Sequence, residues 1–305
     1  MPDPATAWIF PGQGSQETGM GRDLYEAHAV ARDLYDRADA VLGRALSRLC
    51  FEGPDAELGK TFNAQPAIYV TSLACLAVAR EVGAVDGDPA FVAGHSLGEY
   101  TALTAAGAVA FEDGLRLVEQ RGQLTQAAAD ATPGGLAAVL GLDERTAEAV
   151  CAEAGAEVCN INSPGQLVIG GTKAAVEKAC ALALERGAKR AIPLDVGGAF
   201  HTSLMRPAAD GMRKAVDAID VSAPRIPVVA NDRGEPIIEP AAIREELVFQ
   251  LTHPVRWVQC VEYMAQHGVT TFIEFGPGRV LTGLVKRIVK DSRTRNINGV
   301  ASLGV

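Results

Sequence analysis

The segment 91–103 constrains the fold more than any other part of the chain. Residues 91–93 are apolar and predict the end of a buried strand, Gly94-His-Ser-Leu-Gly98 follows, and good helix formers run on from Glu99. This order matches the G-x-S-x-G nucleophile elbow, in which small neighbours make room for a serine in a strained backbone conformation. It predicts a Ser96 hydroxyl that faces free N–H groups at a helix N-terminus. The alternative is a glycine-rich strand-to-helix turn without chemistry.

The rest of the chain alternates between strand and helix patterns. The main body has strands at 7–10, 89–93, 227–230 and 271–275, with helices at 22–43, 65–82, 111–129 and from 206 to about 219. This alternation predicts an α/β fold with a parallel sheet. Between 136 and 193 the pattern changes to strand, helix, strand, strand, helix, strand. That order is typical of a ferredoxin-like unit, so an inserted subdomain is predicted there.

Composition narrows the class of protein. The 305 residues suit one large domain or one domain with an insertion. The formal charge of −9, with no basic stripe, argues against nucleic-acid binding. The six cysteines are scattered without metal-type spacing, which favours reduced thiols in a cytoplasmic enzyme and no metal. The apolar stretch 69–79 is interrupted by polar residues and predicts a buried helix rather than a membrane span.

A serine nucleophile needs a base within hydrogen-bond reach, and histidine is the commonest choice. The chain has five histidines. His201 lies in a loop after a Gly-Gly pair and downstream of Ser96, which is the order found in α/β-hydrolases. His253 is the second candidate, and His95 is expected to point away from the adjacent serine. No aspartate or glutamate can be singled out as the residue that orients the histidine.

Seven motifs occur along the chain in an order that resembles a known family. They are Phe10-Pro-Gly-Gln-Gly-Ser-Gln16, Gly94-His-Ser-Leu-Gly-Glu-Tyr100, Arg121, Asn160-Ile-Asn-Ser-Pro-Gly-Gln166, Ala199-Phe-His201, Gln250-Leu-Thr-His-Pro-Val255 and Gly276-Pro-Gly-Arg-Val-Leu281. Together they resemble malonyl-CoA:acyl-carrier-protein transacylases and the related acyltransferase domains of polyketide synthases. The resemblance covers nearly the whole chain. It implies an α/β-hydrolase-like catalytic subdomain at 1–130 and 198–305, and a ferredoxin-like small subdomain at 131–197.

The resemblance assigns roles residue by residue. Ser96 matches the acylated nucleophile of the family, and His201 matches its general base and acid. Gln13 and Leu97 match the positions whose backbone N–H groups form the oxyanion hole. Arg121 matches the arginine that binds the free carboxylate of a malonyl group. On pattern alone, a single arginine within a helix is more commonly a solvated surface charge.

Further positions follow from the same resemblance. Gln250 matches the residue whose backbone carbonyl orients the histidine. Phe200, His95 and Asn162 are expected to line the substrate pocket. A phenylalanine at the position of Phe200 accompanies malonyl rather than methylmalonyl selection in polyketide acyltransferases, although one methyl group is worth only about 1–3 kcal/mol in a pocket.

The implied reaction transfers a malonyl group from malonyl-CoA to the phosphopantetheine thiol of acyl carrier protein. It proceeds by a ping-pong mechanism through a malonyl-Ser96 ester and supplies fatty-acid or polyketide chain elongation. The expected partners are therefore malonyl-CoA and acyl carrier protein, with no nucleic acid and no membrane. We expect a cytoplasmic monomer that needs neither cofactor nor metal.

Three other classes of protein share parts of this pattern. A serine hydrolase such as a thioesterase would have the elbow and the histidine, but it would gain nothing from Arg121. An acyltransferase that serves a modular polyketide synthase in trans would carry much the same motifs. A non-catalytic module that binds carrier protein would not need Ser96, His201 and Gln13 together with the arginine.

Overall fold

The structure is a computed structural model that describes residues 3–304. Its strands are β1 (Asp3–Phe10), β2 (Pro89–Gly94), β3 (Gly134–Leu140), β4 (Glu157–Ser163), β5 (Gln166–Thr172), β6 (Arg190–Leu194), β7 (Val228–Val229), β8 (Pro236–Ile237), β9 (Thr271–Phe275) and β10 (Arg293–Ile297). They form two separate sheets, one of six strands and one of four.

The helices fill the intervals between the strands. They are α1 (Arg22–Ala27), α2 (Ala29–Leu42), α3 (Leu46–Glu52), α4 (Asp55–Leu58), α5 (Thr61–Glu81), α6 (Gly98–Ala105), α7 (Phe111–Ala131), α8 (Glu144–Ala154), α9 (Lys173–Glu185), α10 (Arg206–Asp217), α11 (Pro240–Phe249), α12 (Trp257–Gln266) and α13 (Val280–Ile288). Short 3₁₀ turns lie at Ser203–Met205 and Val300–Ser302.

The larger sheet has the order β10-β9-β1-β2-β7-β8. Its first five strands are parallel, which confirms the predicted α/β fold. The edge strand β8 departs from the prediction because it pairs antiparallel with β7. A tight turn joins these two strands and contains Gly234 at φ 68°, so the chain reverses direction without a crossover helix.

The smaller sheet has the order β4-β5-β3-β6, and all of its pairs are antiparallel. With α8 and α9 as crossovers, this is the ferredoxin-like order that the sequence predicts. Apolar residues of the sheet, among them Val139 and Ile169, pack on Val150 of α8 and Val176 of α9. The unit therefore has a hydrophobic core of its own.

Helix α5 is the most deeply buried long helix beside the large sheet. It is long and apolar enough to cross a membrane by length and hydropathy, yet 89% of its apolar window is buried inside the protein. Its residues Ile68, Tyr69 and Val70 are inaccessible to solvent and belong to the main core. It forms part of that core, as the sequence predicts for the stretch 69–79.

One predicted helix is wrong as a single element. The stretch 22–43 forms two helices, α1 and α2, which meet at His28. The backbone of His28 is extended, with φ −126° and ψ 127°, and its N–H caps the carbonyl of Leu24. The helical hydrogen-bond ladder is therefore interrupted at this residue, although the sequence around it contains no glycine or proline.

Candidate active site

The elbow forms where β2 ends at Gly94 and α6 begins at Gly98. Ser96 sits between them at φ 55°, a left-handed conformation that few non-glycine residues adopt. A Cβ on Gly94 would lie 1.9 Å from the carbonyl oxygen of Gly98, and one on Gly98 would lie 2.1 Å from that of Phe10. Both positions therefore require glycine. The strand, turn and helix confirm the local structure that the sequence predicts around Ser96.

The side chain of Asn231 binds two backbone groups of the strained turn. The sequence did not predict this role. Its Oδ1 accepts a hydrogen bond from the Ser96 N–H at 2.6 Å, and its Nδ2 donates to the Gly94 carbonyl at 2.6 Å. Asn231 follows β7, which is the neighbour of β2 in the sheet. The sequence does contain one signal for Asn231: it is a polar residue just after a predicted strand. The carboxyl ends of parallel strands lie at the same edge of a sheet, so a residue there can reach the elbow.

His201 lies against the serine hydroxyl. Its Nε2 is 2.7 Å from Ser96 Oγ, and its Nδ1–H donates to the backbone carbonyl of Gln250 at 2.7 Å. His201 is only 5% exposed, and burial together with the nearby Arg121 guanidinium lowers its pKa to about 3. Its imidazole is therefore neutral at neutral pH and free to accept the serine proton.

His253, the second candidate, lies elsewhere. Its Nδ1 contacts the Phe249 carbonyl at 2.8 Å, and its ring stacks on the ring of Phe249 with centroids 3.4 Å apart. It does not line the cavity that contains Ser96. Of these two histidines, the structure brings only His201 to the serine.

Arg121 comes from the middle of α7 and is 4% exposed, so its interpretation as a solvated surface charge is wrong. Its Nη2 donates to Ser96 Oγ at 3.0 Å and to Gln250 Oε1 at 3.0 Å, and its Nη1 donates to Gln65 Oε1 at 2.9 Å. Within residues 3–304 no carboxylate forms an ion pair with it, and its Nε has no acceptor. Gln65, a second residue that sequence reasoning missed, occupies one edge of the guanidinium.

Ser96, His201, Arg121 and Gln65 line one cavity of about 560 Å³, together with residues from all four strands of the small sheet. The predicted pocket residues His95, Asn162 and Phe200 all line it, and His95 Nε2 contacts Asn162 Oδ1 at 2.9 Å. His95 therefore turns toward the small sheet rather than toward Ser96. Burial lowers the pKa of His95, so this ring is also neutral at neutral pH.

The two predicted oxyanion positions are Gln13 and Leu97. Gln13 lines the cavity in the loop after β1, and Leu97 directly follows Ser96. In the described part of the chain, neither backbone N–H finds a hydrogen-bond acceptor. Two free donors of this kind are what a developing oxyanion needs.

Residues 7–304 match the family model described as the acyl transferase domain. The chain belongs to the acyl transferase domain family. Among curated relatives, it is 46% identical over 293 residues to the malonyl CoA-acyl carrier protein transacylase of Bacillus subtilis (strain 168). That alignment covers 94% of this chain and 92% of the relative.

Solved structures agree with the acyl transferase assignment. An acyl carrier protein S-malonyltransferase from Vibrio cholerae superposes with a TM-score of 0.95 at 46% identity, covering 98% of each chain. A malonyl-transacylase solved in complex with a type II PKS acyl-carrier protein superposes with a TM-score of 0.93 at 43% identity. That match covers 98% of this chain and 97% of the other.

The acyl transferase cavity thus combines three chemical capacities. A serine hydroxyl lies in contact with a neutral imidazole, which can remove its proton. The backbone N–H groups of Gln13 and Leu97 have no acceptor among residues 3–304, so they are available to an oxyanion. A buried cation lies within 3.0 Å of the same hydroxyl and can bind an anionic substrate group.

Proposed function

We propose that this acyltransferase moves a malonyl group from malonyl-CoA to the phosphopantetheine thiol of acyl carrier protein, through a malonyl ester on Ser96. The observation that carries the proposal is the position of Arg121. A buried guanidinium with no carboxylate partner in the described chain is costly, because desolvation disfavours its charge and lowers its pKa. A substrate carboxylate supplies the missing partner.

The distance between the arginine and the nucleophile limits the length of the substrate. Arg121 Nη2 is 3.0 Å from Ser96 Oγ, so the bound carboxylate and the attacked carbonyl must be close neighbours in the acyl group. In a malonyl thioester a single methylene separates them. The names of the relatives point to the same acyl group, because both the Bacillus subtilis and the Vibrio cholerae proteins are called malonyl transferases.

Each half-reaction uses the same residues. Ser96 Oγ attacks the thioester carbonyl while His201 Nε2 takes its proton, and the backbone N–H groups of Gln13 and Leu97 hold the oxyanion. His201 then protonates the departing CoA thiolate. In the second half it removes the proton of the carrier thiol as the sulfur attacks the ester carbonyl, and it returns that proton to Ser96 Oγ as the ester bond breaks. The Gln250 carbonyl keeps the Nδ1 proton of His201 in place throughout.

Four further assignments belong to this proposal. Phe200 lines the cavity beside His201, where it would limit the space at the substrate α-carbon and favour malonyl over methylmalonyl groups. We assign residues 131–197 to a small subdomain and 1–130 with 198–305 to a catalytic one, since all four strands of the small sheet lie between 134 and 194.

The cysteines are free thiols, which supports a cytoplasmic enzyme. We also propose that the enzyme is a monomer.

Replacing Arg121 by alanine tests the proposed substrate directly. The change is expected to lower kcat/KM for malonyl-CoA by the equivalent of about 2–5 kcal/mol, because the substrate carboxylate would be buried without a partner. Acetyl-CoA has no carboxylate, so acylation of Ser96 by acetyl-CoA is expected to stay level or improve. The measurement is the rate of Ser96 acylation by each thioester, followed by intact mass.

A matched control is available on the same helix. Arg116 precedes Arg121 by five residues but is exposed and paired with Asp113, so Arg116→Ala is expected to leave both rates unchanged. An equal loss for both thioesters in Arg121→Ala would mean that the arginine supports the fold or binds the CoA portion. The dicarboxylate proposal would then fail.

The pH dependence follows from the His201 environment. Because its pKa is lowered to about 3, the imidazole stays unprotonated at pH values where a free histidine, with a pKa of about 6.5, takes up a proton. We expect kcat/KM for malonyl-CoA to show no acid decline centred near pH 6.5. In the same range the unfolded chain binds a proton that folded His201 does not, so folding stability decreases as pH falls below about 6.5. A decline in kcat/KM centred near pH 6.5 would show that the pKa of His201 is not lowered.

A further inference from the structure

Two carboxyl groups meet in the core directly behind the elbow. Glu99 lies in the first turn of α6 and Glu246 lies in α11, and they are 0% and 4% exposed. Glu246 lies one turn before Gln250 at the end of α11, and the Gln250 side chain contacts Glu99, so the two carboxyl groups are neighbours. Glu246 Oε1 accepts the Asp232 N–H at 3.1 Å, and Glu99 Oε2 accepts from Gln250 Nε2 at 3.0 Å. Glu99 Oε1 is buried and has no hydrogen-bond partner among residues 3–304.

Two neighbouring carboxylates that are both buried cannot both be ionised without a large electrostatic cost. Burial raises the pKa of Glu99 well above its ordinary value, and the adjacent Glu246 raises it further. Burial also raises the pKa of Glu246 to about 7. The other titratable groups near the pair are Asp232, Arg233, the buried thiol of Cys260, Tyr100 and Arg121. Glu99 therefore keeps its proton at neutral pH and can donate it to Glu246.

The pair is connected to the active site through the Gln250 amide. Gln250 Nε2 donates to Glu99 Oε2 and, at 3.2 Å, to the carbonyl of Ser96, so its Oε1 is left to face Arg121 Nη2. A guanidinium only donates hydrogen bonds, so the reverse orientation of the amide would oppose two donors. The acceptor on Glu99 thus determines which end of the amide Arg121 meets.

We infer that Glu99 and Glu246 hold a proton between them, and that the neutral Glu99 carboxyl positions Gln250 so that the charge of Arg121 remains available to the substrate carboxylate. An ionised Glu99 would place a second anion close to Arg121 and would compete with the substrate for it. Glu99 and Glu246 are positioning residues, since neither lines the cavity. The kinetic part of this inference rests on the proposed malonyl transfer.

The test compares an isostere with a truncation. In Glu99→Gln, the amide oxygen can still accept from Gln250 and the amide N–H can still donate to Glu246, as the protonated acid does. We expect kcat/KM for malonyl-CoA to stay within about threefold of the wild type. Glu99→Ala removes the acceptor, and the same constant is expected to fall roughly tenfold to hundredfold, the range for a lost hydrogen bond in a network with a charged group. Acylation by acetyl-CoA, which does not need Arg121, is expected to fall less.

Glu245→Ala is the matched control, because Glu245 precedes Glu246 in α11 but is exposed and paired with Arg213. It is expected to leave all rates unchanged. If Glu99→Gln loses as much activity as Glu99→Ala, Glu99 acts as a carboxylate and the inference is wrong. If Glu99→Ala keeps its preference for malonyl over acetyl groups, the positioning of Gln250 does not depend on Glu99, and the inference is equally wrong.

A second readout does not depend on activity or on the stability of the alanine variant. The infrared spectrum of the free wild-type enzyme at neutral pH is expected to contain a protonated carboxyl C=O band that is missing from Glu99→Gln. If the two spectra do not differ in this band, Glu99 is not protonated and the inference is wrong. If the wild type formed no malonyl ester, the proposed function would fail while this band still decided the protonation of Glu99.

Discussion

Ser96→Ala is expected to abolish covalent malonylation. Mixing the wild type with malonyl-CoA is expected to add one malonyl group to the intact mass, and a phosphopantetheinylated carrier protein is expected to remove it again. In the wild type the Ser96 hydroxyl contacts His201 Nε2. The variant lacks this hydroxyl, so it cannot form the ester. Intact mass spectrometry, followed by peptide mapping of the adduct, measures both steps.

Ser15 offers the control for this experiment. It is the other serine that lines the cavity in residues 3–304, but its hydroxyl donates to the Gly12 carbonyl at 2.7 Å and does not contact a histidine. Ser15→Ala is expected to keep the adduct. An adduct that persists in Ser96→Ala, or that maps to a cysteine, would show that the nucleophile is a different residue.

His201→Ala is expected to lower the transfer rate by roughly 10²–10⁴-fold, the contribution typical of a general base and acid. The loss should appear in the rate of Ser96 acylation, while the equilibrium binding of malonyl-CoA changes little because Arg121 remains. Stopped-flow or quenched single-turnover measurements separate these two quantities.

His253→Ala is the matched control for His201→Ala. The His253 ring stacks on Phe249 outside the cavity, so its removal is expected to leave turnover close to that of the wild type. Near-normal turnover in His201→Ala, combined with a large loss in His253→Ala, would reverse the assignment of the base.

The elbow was predictable because its determinants are local. Two glycines, a serine and a run of helix formers within about ten residues define both the backbone path and the exposed hydroxyl. The ferredoxin-like unit was predictable for a similar reason, since each of its strands and helices has its own hydrophobic pattern. By contrast, β10 is Arg-Thr-Arg-Asn-Ile and has no such pattern. It is a strand because β9 offers a free edge beside it.

The polar residues that surround the site could not be predicted from the sequence. Gln65, Asn231 and Glu246 are separated from Ser96 by between 31 and 150 residues. Nothing local marks them, because isolated glutamine, asparagine and glutamate residues are most often solvated. Their contacts exist only once α5, β7 and α11 are packed around the elbow. For the same reason, a helical arginine such as Arg121 looks like a surface residue until the fold buries it.

The contact between His201 and residue 250 uses the main chain, and this has a consequence for substitutions at position 250. In many serine enzymes an aspartate orients the histidine, and a single codon change can delete that carboxylate. Here the acceptor is the peptide carbonyl of Gln250, which every amino acid carries. The side chain of the same residue contacts Arg121 and Glu99 instead. Under the proposed mechanism, a substitution at position 250 would change the contacts of Arg121 and Glu99, while the backbone carbonyl would still orient His201.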